Sequence, residues 1–376
     1  MQSLKKIAFF SHTAKLSGAP KSLYLLMKGM KEKGHDVHLF CNEEGDLTKN
    51  ARLIGIACEL VNLIGTANFF TRKRFKKVLC LQAFDCAYLN CAHKYTRAAA
   101  SICYKLKLPI VWHIREPPKG SRVQRSLPLM KKFRAKVVVV SQEQKAVVEN
   151  VLPCTQVDNG VDLSEFGIDR DSGMPLRKRF GLEESELVFG IVGTVENRKR
   201  TKEFIEAAKV LLNKYDSKAG GKALKFLIVG DTSREYAANL QKMVSNDPLL
   251  KDKIIFSGPL TAMPHVYNAL DVLTMISSWE GFPRVVIEAM ASATPIIATD
   301  TGEVSAMLNQ GEFGQVVQVD DHKALVYAMI RAIDCYEELQ QTAVKAKDYA
   351  ATAFSVAKYV DTLEKILIEA AASDKA

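Results

Sequence analysis

Short apolar runs alternate with stretches of helical periodicity along most of this chain. Ile7–Ser11 and Ile110–Trp112 are two such runs in the first half, and Leu187–Gly193 opens a second series. Alternation of this kind is typical of parallel sheets with crossover helices. Further strands are predicted at Val37–Phe40, Asp85–Leu89, Val137–Val140, Leu224–Gly230, Lys253–Gly258, Asp271–Met275, Pro295–Thr299 and Gln315–Val319. The pattern predicts an α/β fold, with a first helix that begins at Pro20 and ends at Gly34.

A turn-rich segment separates the two series of strands. It runs from Pro153 to Arg170 and contains the string Asp158-Asn159-Gly160-Val161-Asp162. Because 376 residues exceed one ordinary hydrophobic core, two domains are expected. We predict an N-terminal domain over residues 1–165, a C-terminal domain over residues 166–352 and a final helical segment over residues 353–376.

The positive charge of the chain lies in its first half. Residues 1–165 hold 27 Lys and Arg against 13 Asp and Glu, a balance of +14, whereas the whole chain carries +10. Such an excess indicates an anionic partner. No nucleic-acid-binding motif or row of base-stacking aromatics accompanies it, so nucleic acid is not an expected partner. We expect a membrane surface or an anionic, lipid-linked acceptor.

Two segments of the basic half combine cations with apolar residues. They are Phe69–Lys77 and Ser121–Lys136. A basic amphipathic helix can lie on an anionic membrane, and an ordinary helix with one solvated face is the alternative. Because both segments lie in the same half, we interpret them as membrane-facing, with contacts from Arg72, Lys73, Arg74, Lys76 and Lys77.

The cysteines and the N-terminus indicate where the protein resides. Eight cysteines are present without a Cys-x-x-Cys pair or framework spacing, as expected for reduced thiols in a cytosolic protein. The apolar stretch that begins at Ile7 is cut short by Ser11 and His12, so it indicates a first strand and not a secretory signal. We expect a cytoplasmic protein, peripheral to the inner face of the membrane.

Two glutamates bracket the predicted start of a helix in the second half. Glu280 lies in the loop that follows a predicted strand, and Glu288 lies eight residues on. Pro283 suits the first position of the helix between them. The free N–H groups of a helix N-terminus form a site for anions. A diphosphate at this site, with hydroxyl-rich sugars on either side, matches a nucleotide-sugar.

These residues also carry a resemblance to a known family. The stretch EGFPRVVIEAMA from Glu280, together with Pro295–Glu303, is similar to glycosyltransferase family 4 and its retaining E-x7-E signature. The resemblance implies a GT-B fold, in which two Rossmann-like domains face each other across a cleft and the last helix packs on the N-terminal domain. It also implies that Glu280 binds hydroxyls of the donor sugar and that Glu288 binds the ribose. The intervening donor-binding residues would be Gly281, Phe282, Pro283, Arg284 and Val285.

A basic loop, Gly193–Arg200, follows the strand that opens the second half. It resembles the family's loop in which a lysine six residues after the glycine contacts the donor diphosphate, which assigns that role to Lys199. Arg198 is the candidate for a second cation. The loop departs from the family at Thr194, where an arginine is frequent, and at Arg200, where a glycine is common.

Four further residues in the first half resemble functional residues of the family. Gly18 lies in a strand-to-helix loop, where a glycine lets N–H groups approach an anion closely. His113 ends a strand, and the resemblance implies that it contacts the donor sugar and that its backbone carbonyl lies near the reacting carbon. Arg115 and Glu116 follow it and are candidates for the acceptor side.

The sequence thus predicts a retaining, metal-independent glycosyltransferase that uses a UDP-sugar in preference to a GDP-sugar. No cofactor is expected, since Lys199 already supplies positive charge to the leaving diphosphate. As the family implies, the departing phosphate would take the proton of the acceptor. Two alternatives stay open: a nucleotide-sugar epimerase of the same fold, and a nucleotide-binding protein without turnover. A nicotinamide-dependent enzyme is disfavoured because no strand is followed by G-x-G-x-x-G.

Overall fold

The computed structural model describes residues 6–64, 69–215 and 223–373. The chain divides into two units, Met1–Gly160 with Ser355–Ala376 and Val161–Phe354. The sequence prediction placed these divisions at residues 165 and 352. The first comes earlier because the Val161 N–H donates to the Phe354 carbonyl at 2.8 Å, which ties the chain after Gly160 to the second unit.

The first unit is a parallel sheet with helices on both faces. Its elements are β1 Lys6–Ser11, α1 Gly18–Glu32, β2 Asp36–Cys41, α2 Asp46–Leu53, β3 Ala57–Leu60, α3 Phe69–Gln82, β4 Cys86–Asn90, α4 Lys94–Lys105, β5 Ile110–His113, α5 Ser121–Lys132, β6 Lys136–Val139, α6 Gln142–Glu149 and β7 Cys154–Gln156. The strands lie in the order β3-β2-β1-β4-β5-β6-β7. The sequence missed the two edge strands, because β3 is partly exposed and β7 has three residues inside the segment predicted as a linker.

The core of the first unit fills both faces of this sheet. Along β1, Ala8 and Phe10 join one apolar cluster, while Ile7 and Phe9 join a second. This arrangement suits a parallel sheet, whose strands are apolar on both sides. Helix α1 begins two residues before the predicted Pro20 and buries its predicted apolar face, Leu23, Leu26, Met27 and Met30.

The second unit repeats the plan with six parallel strands. Its elements are α7 Arg170–Arg179, β8 Leu187–Val192, a 3₁₀ turn Asn197–Lys199, α8 Thr201–Tyr215, β9 Leu224–Val229, α9 Glu235–Ser245, β10 Ile254–Gly258, α10 Met263–Ala269, β11 Val272–Met275, α11 Arg284–Ala291, β12 Ile296–Thr299, α12 Val304–Met307, a 3₁₀ turn Asn309–Gly311, β13 Gln315–Val317, α13 His322–Asp334 and α14 Tyr336–Ala353. The strand order is β10-β9-β8-β11-β12-β13. Every strand of this unit was predicted, to within two residues at each end.

The last helix, α15 Val356–Ser373, belongs to the first unit. It packs on α1, where a Cβ added to Gly29 would lie 2.5 Å from a methyl group of Val360. Lys33 forms ion pairs with Asp361 at 2.7 Å and with Glu364 at 2.6 Å. The chain therefore completes its first unit with residues from both of its ends.

Strand order also determines where each sheet can receive a ligand. The direction of the crossovers reverses between β1 and β4 in the first sheet and between β8 and β11 in the second. A crevice opens at such a reversal, outside the carboxyl ends of the two strands, and is the usual ligand site of this architecture. Within the described residues, we find no helix with the length and apolar character to cross a membrane.

Candidate functional site

The reversal point of the second sheet brings together three predicted site residues. The loop after β8 carries Arg198 and Lys199, and the loop after β11 carries Glu280. One carboxylate oxygen of Glu280 accepts from Lys199 Nζ at 2.6 Å and from Arg198 Nη1 at 2.8 Å. Residues that lie more than 80 positions apart in sequence therefore form one compact cluster of charge.

The cluster keeps Glu280 ionised. Burial acts to raise the pKa of its carboxyl, but the charges of Lys199 and then Arg198 outweigh it and hold the pKa below its usual value. The Arg198 guanidinium also donates hydrogen bonds to the carbonyl of Trp279 and to the carboxylate of Glu196. An anionic ligand that enters here would compete with Glu280 for both cations and free its carboxylate for hydroxyl groups.

Two glycines allow the backbone to approach these side chains. Gly193 has a φ of +143°, and a Cβ there would lie 3.1 Å from Cε of Lys199. Gly302 has a φ of +58°, and a Cβ there would lie 2.2 Å from the carbonyl oxygen of Glu280. A side chain at 302 would collide with the backbone, so glycine is needed to hold the loop after β12 against the Glu280 loop. Arg200 also has a positive φ, +57°, which explains why a glycine suits this position.

Glu288 lies in the interior of the second unit. Its Oε2 accepts from the Tyr267 hydroxyl at 2.8 Å, and its Oε1 accepts from Arg284 Nε at 3.2 Å and forms an ion pair with Nη2 at 3.0 Å. The sequence analysis names Arg284 among the donor-binding residues, and in the structure its guanidinium is buried and pairs with Glu288 one helical turn away. Pro283 is the residue that caps α11 and not its first residue, because its ψ of 113° is extended.

The other predicted donor residues form the entry to α11. Gly281, Phe282 and Pro283 are buried, and Val285 is half-buried. The ring of Phe282 packs edge-on against Phe354 at 5.6 Å, and the Gly281 carbonyl accepts from the Glu303 N–H at 3.1 Å. These contacts fix the path of the loop that carries Glu280.

His113 is fully buried at the end of β5 in the first unit. Its Nδ1 lies 2.5 Å from the Tyr88 hydroxyl, whereas its Nε2 has no hydrogen-bond partner among the described residues. Burial, assisted by the charge of Arg115, holds the pKa of the imidazole well below its usual value, so the ring is neutral. The backbone carbonyl of His113 accepts from the Cys91 N–H at 2.9 Å.

Arg115 and Glu116 connect loops inside the first unit. The Arg115 guanidinium donates to Asn90 at 2.9 Å, to Asn159 at 2.6 Å and to the Tyr359 hydroxyl at 2.9 Å. The Glu116 carboxylate accepts from the backbone N–H of Ala92 at 2.8 Å and from that of Arg115 at 3.2 Å. Sequence reasoning missed Asn90 and Tyr359. Asn90 could have been found, since it directly follows a predicted strand at the ligand edge of the sheet.

The remaining predicted residues lie on the surface of the first unit. Gly18 is exposed as the first residue of α1, and a Cβ there would meet no atom within 4 Å. Lys73, Lys76 and Lys77 are exposed, whereas the side chains of Arg72 and Arg74 lie outside the described part of the structure.

The amphipathic interpretation of the second basic segment needs correction. The apolar residues of Ser121–Lys136 are buried in the core of the first unit, namely Val123, Leu127, Met130 and Phe133. They cannot insert into a bilayer while the unit stays folded. The segment can therefore attract a membrane through its exposed cations alone.

Comparison with known proteins adds family matches to this geometry. The family described as "Glycosyltransferase Family 4" matches residues 16–165, and the family described as "Glycosyl transferases group 1" matches residues 175–349. The two matches cover the two units separately and together span most of the chain.

One relative and one solved structure resemble the chain over nearly its whole length, and a second relative matches about half of it. It is 24% identical to the UDP-Gal:alpha-D-GlcNAc-diphosphoundecaprenol alpha-1,3-galactosyltransferase of Escherichia coli, with 97% of each chain aligned. It is 29% identical to the lipopolysaccharide core biosynthesis mannosyltransferase LpsB of Rhizobium meliloti (strain 1021), over 54% of this chain and 56% of that protein. Anabaena Alr3699/HepE in complex with UDP-glucose has the same fold, with a TM-score of 0.85 and 18% identity over 97% of this chain and all of that one.

Proposed function

The chain belongs to glycosyltransferase family 4, and from this premise we propose that it transfers a sugar from a UDP-sugar to a glycan or lipid-linked acceptor with retention at the anomeric carbon. The observation that carries the proposal is the cluster of Arg198, Lys199 and Glu280 at the ligand crevice of the second sheet. The E. coli relative is named for UDP-galactose and a diphospho-lipid acceptor, which supports this pairing of donor and acceptor. The product would serve cell-surface polysaccharide or glycolipid synthesis.

Four site residues of the second unit have roles in the proposed reaction. Lys199 and Arg198 bind the diphosphate and stabilise the charge that develops as the bond from the sugar carbon to the phosphate oxygen breaks. Glu280, released from these cations, accepts hydrogen bonds from sugar hydroxyls. Glu288 accepts hydrogen bonds from the ribose. The acceptor oxygen forms the new bond to the sugar carbon, and its proton goes to the departing phosphate.

In the first unit, His113 is assigned to a hydroxyl of the donor sugar. Its Nδ1 is already engaged by Tyr88, and Nε2 is the ring atom for which the described residues offer no partner. A buried polar atom without a partner costs about 1–3 kcal/mol, so a ligand that satisfies it gains that amount. Arg115 and Glu116 then act by ordering the loops on the acceptor side.

Release of nucleotide from a panel of UDP- and GDP-sugars tests the function. We expect one UDP-sugar to yield UDP without an acceptor, at a rate that EDTA does not lower, because Lys199 and Arg198 already supply positive charge. Asp169 and Asp171 have the Asp-x-Asp spacing of a metal site, but Asp169 caps α7 by accepting from the Ser172 N–H at 3.1 Å. Activity lost in EDTA and restored by Mn²⁺ would overturn the metal-independent mechanism.

The same panel separates the alternatives. An epimerase would convert a UDP-sugar to UDP and an altered free sugar and would gain nothing from an acceptor. A binding protein without turnover would bind UDP and release none from any donor. Nuclear magnetic resonance of the glycoside formed with an acceptor reads the anomeric configuration directly, and inversion would exclude the retaining mechanism.

We further propose that the first unit contacts the inner face of the cytoplasmic membrane through charge alone. Lys73, Lys76 and Lys77 are exposed on α3. Binding to phosphatidylglycerol vesicles should fall with salt, because exposed charges are screened over about 10 Å at 0.1 M. Serine at these three positions together with Arg72 and Arg74 should weaken vesicle binding and leave UDP affinity unchanged. The proposal is contradicted if the wild-type protein does not bind phosphatidylglycerol vesicles at low salt.

A further inference from the structure

The reversal point of the first sheet is lined by two histidines. His12 follows β1 and His93 follows β4, the two strands between which the crossovers change direction. Their rings stack with centroids 4.4 Å apart and an angle of 27° between the planes. The pair thus occupies the place where an open α/β sheet receives a ligand.

The hydrogen bond to His93 determines which of its ring nitrogens carries the proton. His93 caps α4, and its Nδ1 accepts from the Tyr95 N–H at 3.2 Å, so the ring proton lies on Nε2. Burial, with His12 and Arg122 adding to it, lowers the pKa of His93 to about 4, and burial followed by Arg122 also lowers the pKa of His12. Nδ1 of His12 is buried without a partner among the described residues. The neutral pair offers polar groups that this unit does not use.

Arg97 and Arg122 stand beside this pair, and Arg125 lies next to Arg97. The Arg97 guanidinium reaches across from α4 to the first turn of α5, 3.4 Å from the Arg122 carbonyl. Burial and then the charges of Arg125 and Arg122 lower the pKa of Arg97, and the charge of Glu116 opposes them. The first turns of α4 and α5 contain no acidic residue. Among the described side chains, no carboxylate forms an ion pair with Arg97, Arg122 or Arg125.

One nearby carboxylate offsets part of this charge, because Glu116 acts electrostatically on Arg97 and on Arg122 without forming an ion pair with either. Glu43 accepts from the Thr13 hydroxyl at 2.8 Å, and Glu116 accepts from the backbone N–H of Ala92. A single carboxylate does not balance three guanidiniums, so the cluster keeps an excess of positive charge that favours an anionic ligand. A guanidinium presents a planar fork of donors that fits phosphate oxygens two at a time. The positive cluster is therefore matched to a phosphate ligand.

We propose that His12, His93, Arg97, Arg122 and Arg125 form a binding site for the diphosphate of the acceptor, a sugar joined through a diphosphate ester to a carrier. This proposal rests on the proposed function and identifies the anionic group that the first unit recognises. A diphosphate spans several guanidiniums at once, whereas a carboxylate engages one. Half-buried Arg97 and the stacked rings also favour a discrete ligand over a flat membrane surface.

Titration with inorganic pyrophosphate, in protein saturated with UDP, tests the site. The Arg122→Gln/Arg125→Gln variant should bind pyrophosphate at least about tenfold more weakly than the wild type, because it loses charge-assisted hydrogen bonds. Arg122 and Arg125 are exposed, so the matched control is Lys131→Gln/Lys132→Gln, which removes the same charge from two exposed positions in the last turn of the same helix. The control should retain pyrophosphate affinity, and both variants should retain the affinity for UDP.

Several outcomes would overturn the proposal. The proposal is wrong if the wild type does not bind pyrophosphate. It is also wrong if both double variants lose pyrophosphate affinity equally, because the effect would then come from net charge alone. If the arginine variant loses binding to phosphatidylglycerol vesicles and keeps pyrophosphate affinity, the arginines contact lipid headgroups instead. Failure of the proposed function is visible separately, as an absence of UDP affinity or of UDP release. In the transfer assay, the arginine variant should raise KM for a diphosphate-linked acceptor and leave donor hydrolysis unchanged.

Discussion

Lys199→Ala should lower sugar transfer by about 10²- to 10³-fold, which is the usual loss when a group that stabilises developing negative charge is removed. The Lys199 ammonium is only 15% exposed, and its partner Glu280 only 13%, so the charge acts where water screens it weakly. Without Lys199, only Arg198 would remain to stabilise the negative charge that develops on the departing diphosphate. We therefore expect the main loss in kcat.

The same variant should remain folded. Glu280 keeps Arg198 as a partner at 2.8 Å, so its carboxylate is not left alone in the interior. Lys202→Ala is the matched control, since Lys202 lies three residues on and forms an exposed pair with Glu206. Single-turnover kinetics with the UDP-sugar would measure the effect. If the Lys199→Ala enzyme has the wild-type kcat, Lys199 does not stabilise the leaving group.

The fold was predictable because most of its strands are buried on both faces. A central strand such as β8 consists of apolar residues along its whole length, so it is visible in sequence as an uninterrupted run. An edge strand such as β3 carries Cys58 and Glu59 on a half-exposed backbone and gives no such signal. Its pairing with β2 depends on a neighbour that the local sequence does not identify.

The site was predictable only where a single stretch of chain contains it. Glu280 lies in a loop and Glu288 in the helix that directly follows it, and Lys199 lies in a loop whose sequence resembles that of the family. The partners of these residues come from elsewhere: Tyr267 reaches Glu288 from α10, and Tyr359 reaches Arg115 from α15, 244 positions away. Hydrogen bonds over such separations follow from the topology of the sheets and leave no local pattern in the sequence.

These long-range contacts change how the ribose assignment of Glu288 should be tested. Removal of its carboxylate would break the ion pair with the Arg284 guanidinium, which is itself only 7% exposed. Breaking a buried ion pair in this way costs about 3–5 kcal/mol, so Glu288→Ala would combine a binding effect with unfolding. Glutamine preserves the shape and keeps an oxygen that can accept from Tyr267 or Arg284.

Glu288→Gln should weaken UDP binding by about tenfold, because hydrogen bonds from the ribose to a neutral amide oxygen are weaker than those to a carboxylate by roughly 1.5 kcal/mol. Glu186→Gln is the matched control: it is a buried glutamate at the amino end of β8, paired with Lys225 at 3.7 Å and remote from the ligand edge of the same sheet. Calorimetric titration with UDP compares the two variants, and thermal unfolding verifies that both are folded. Equal UDP affinity in the wild type and in a folded Glu288→Gln protein would mean that the carboxylate positions Arg284 and Tyr267 and does not touch the nucleotide.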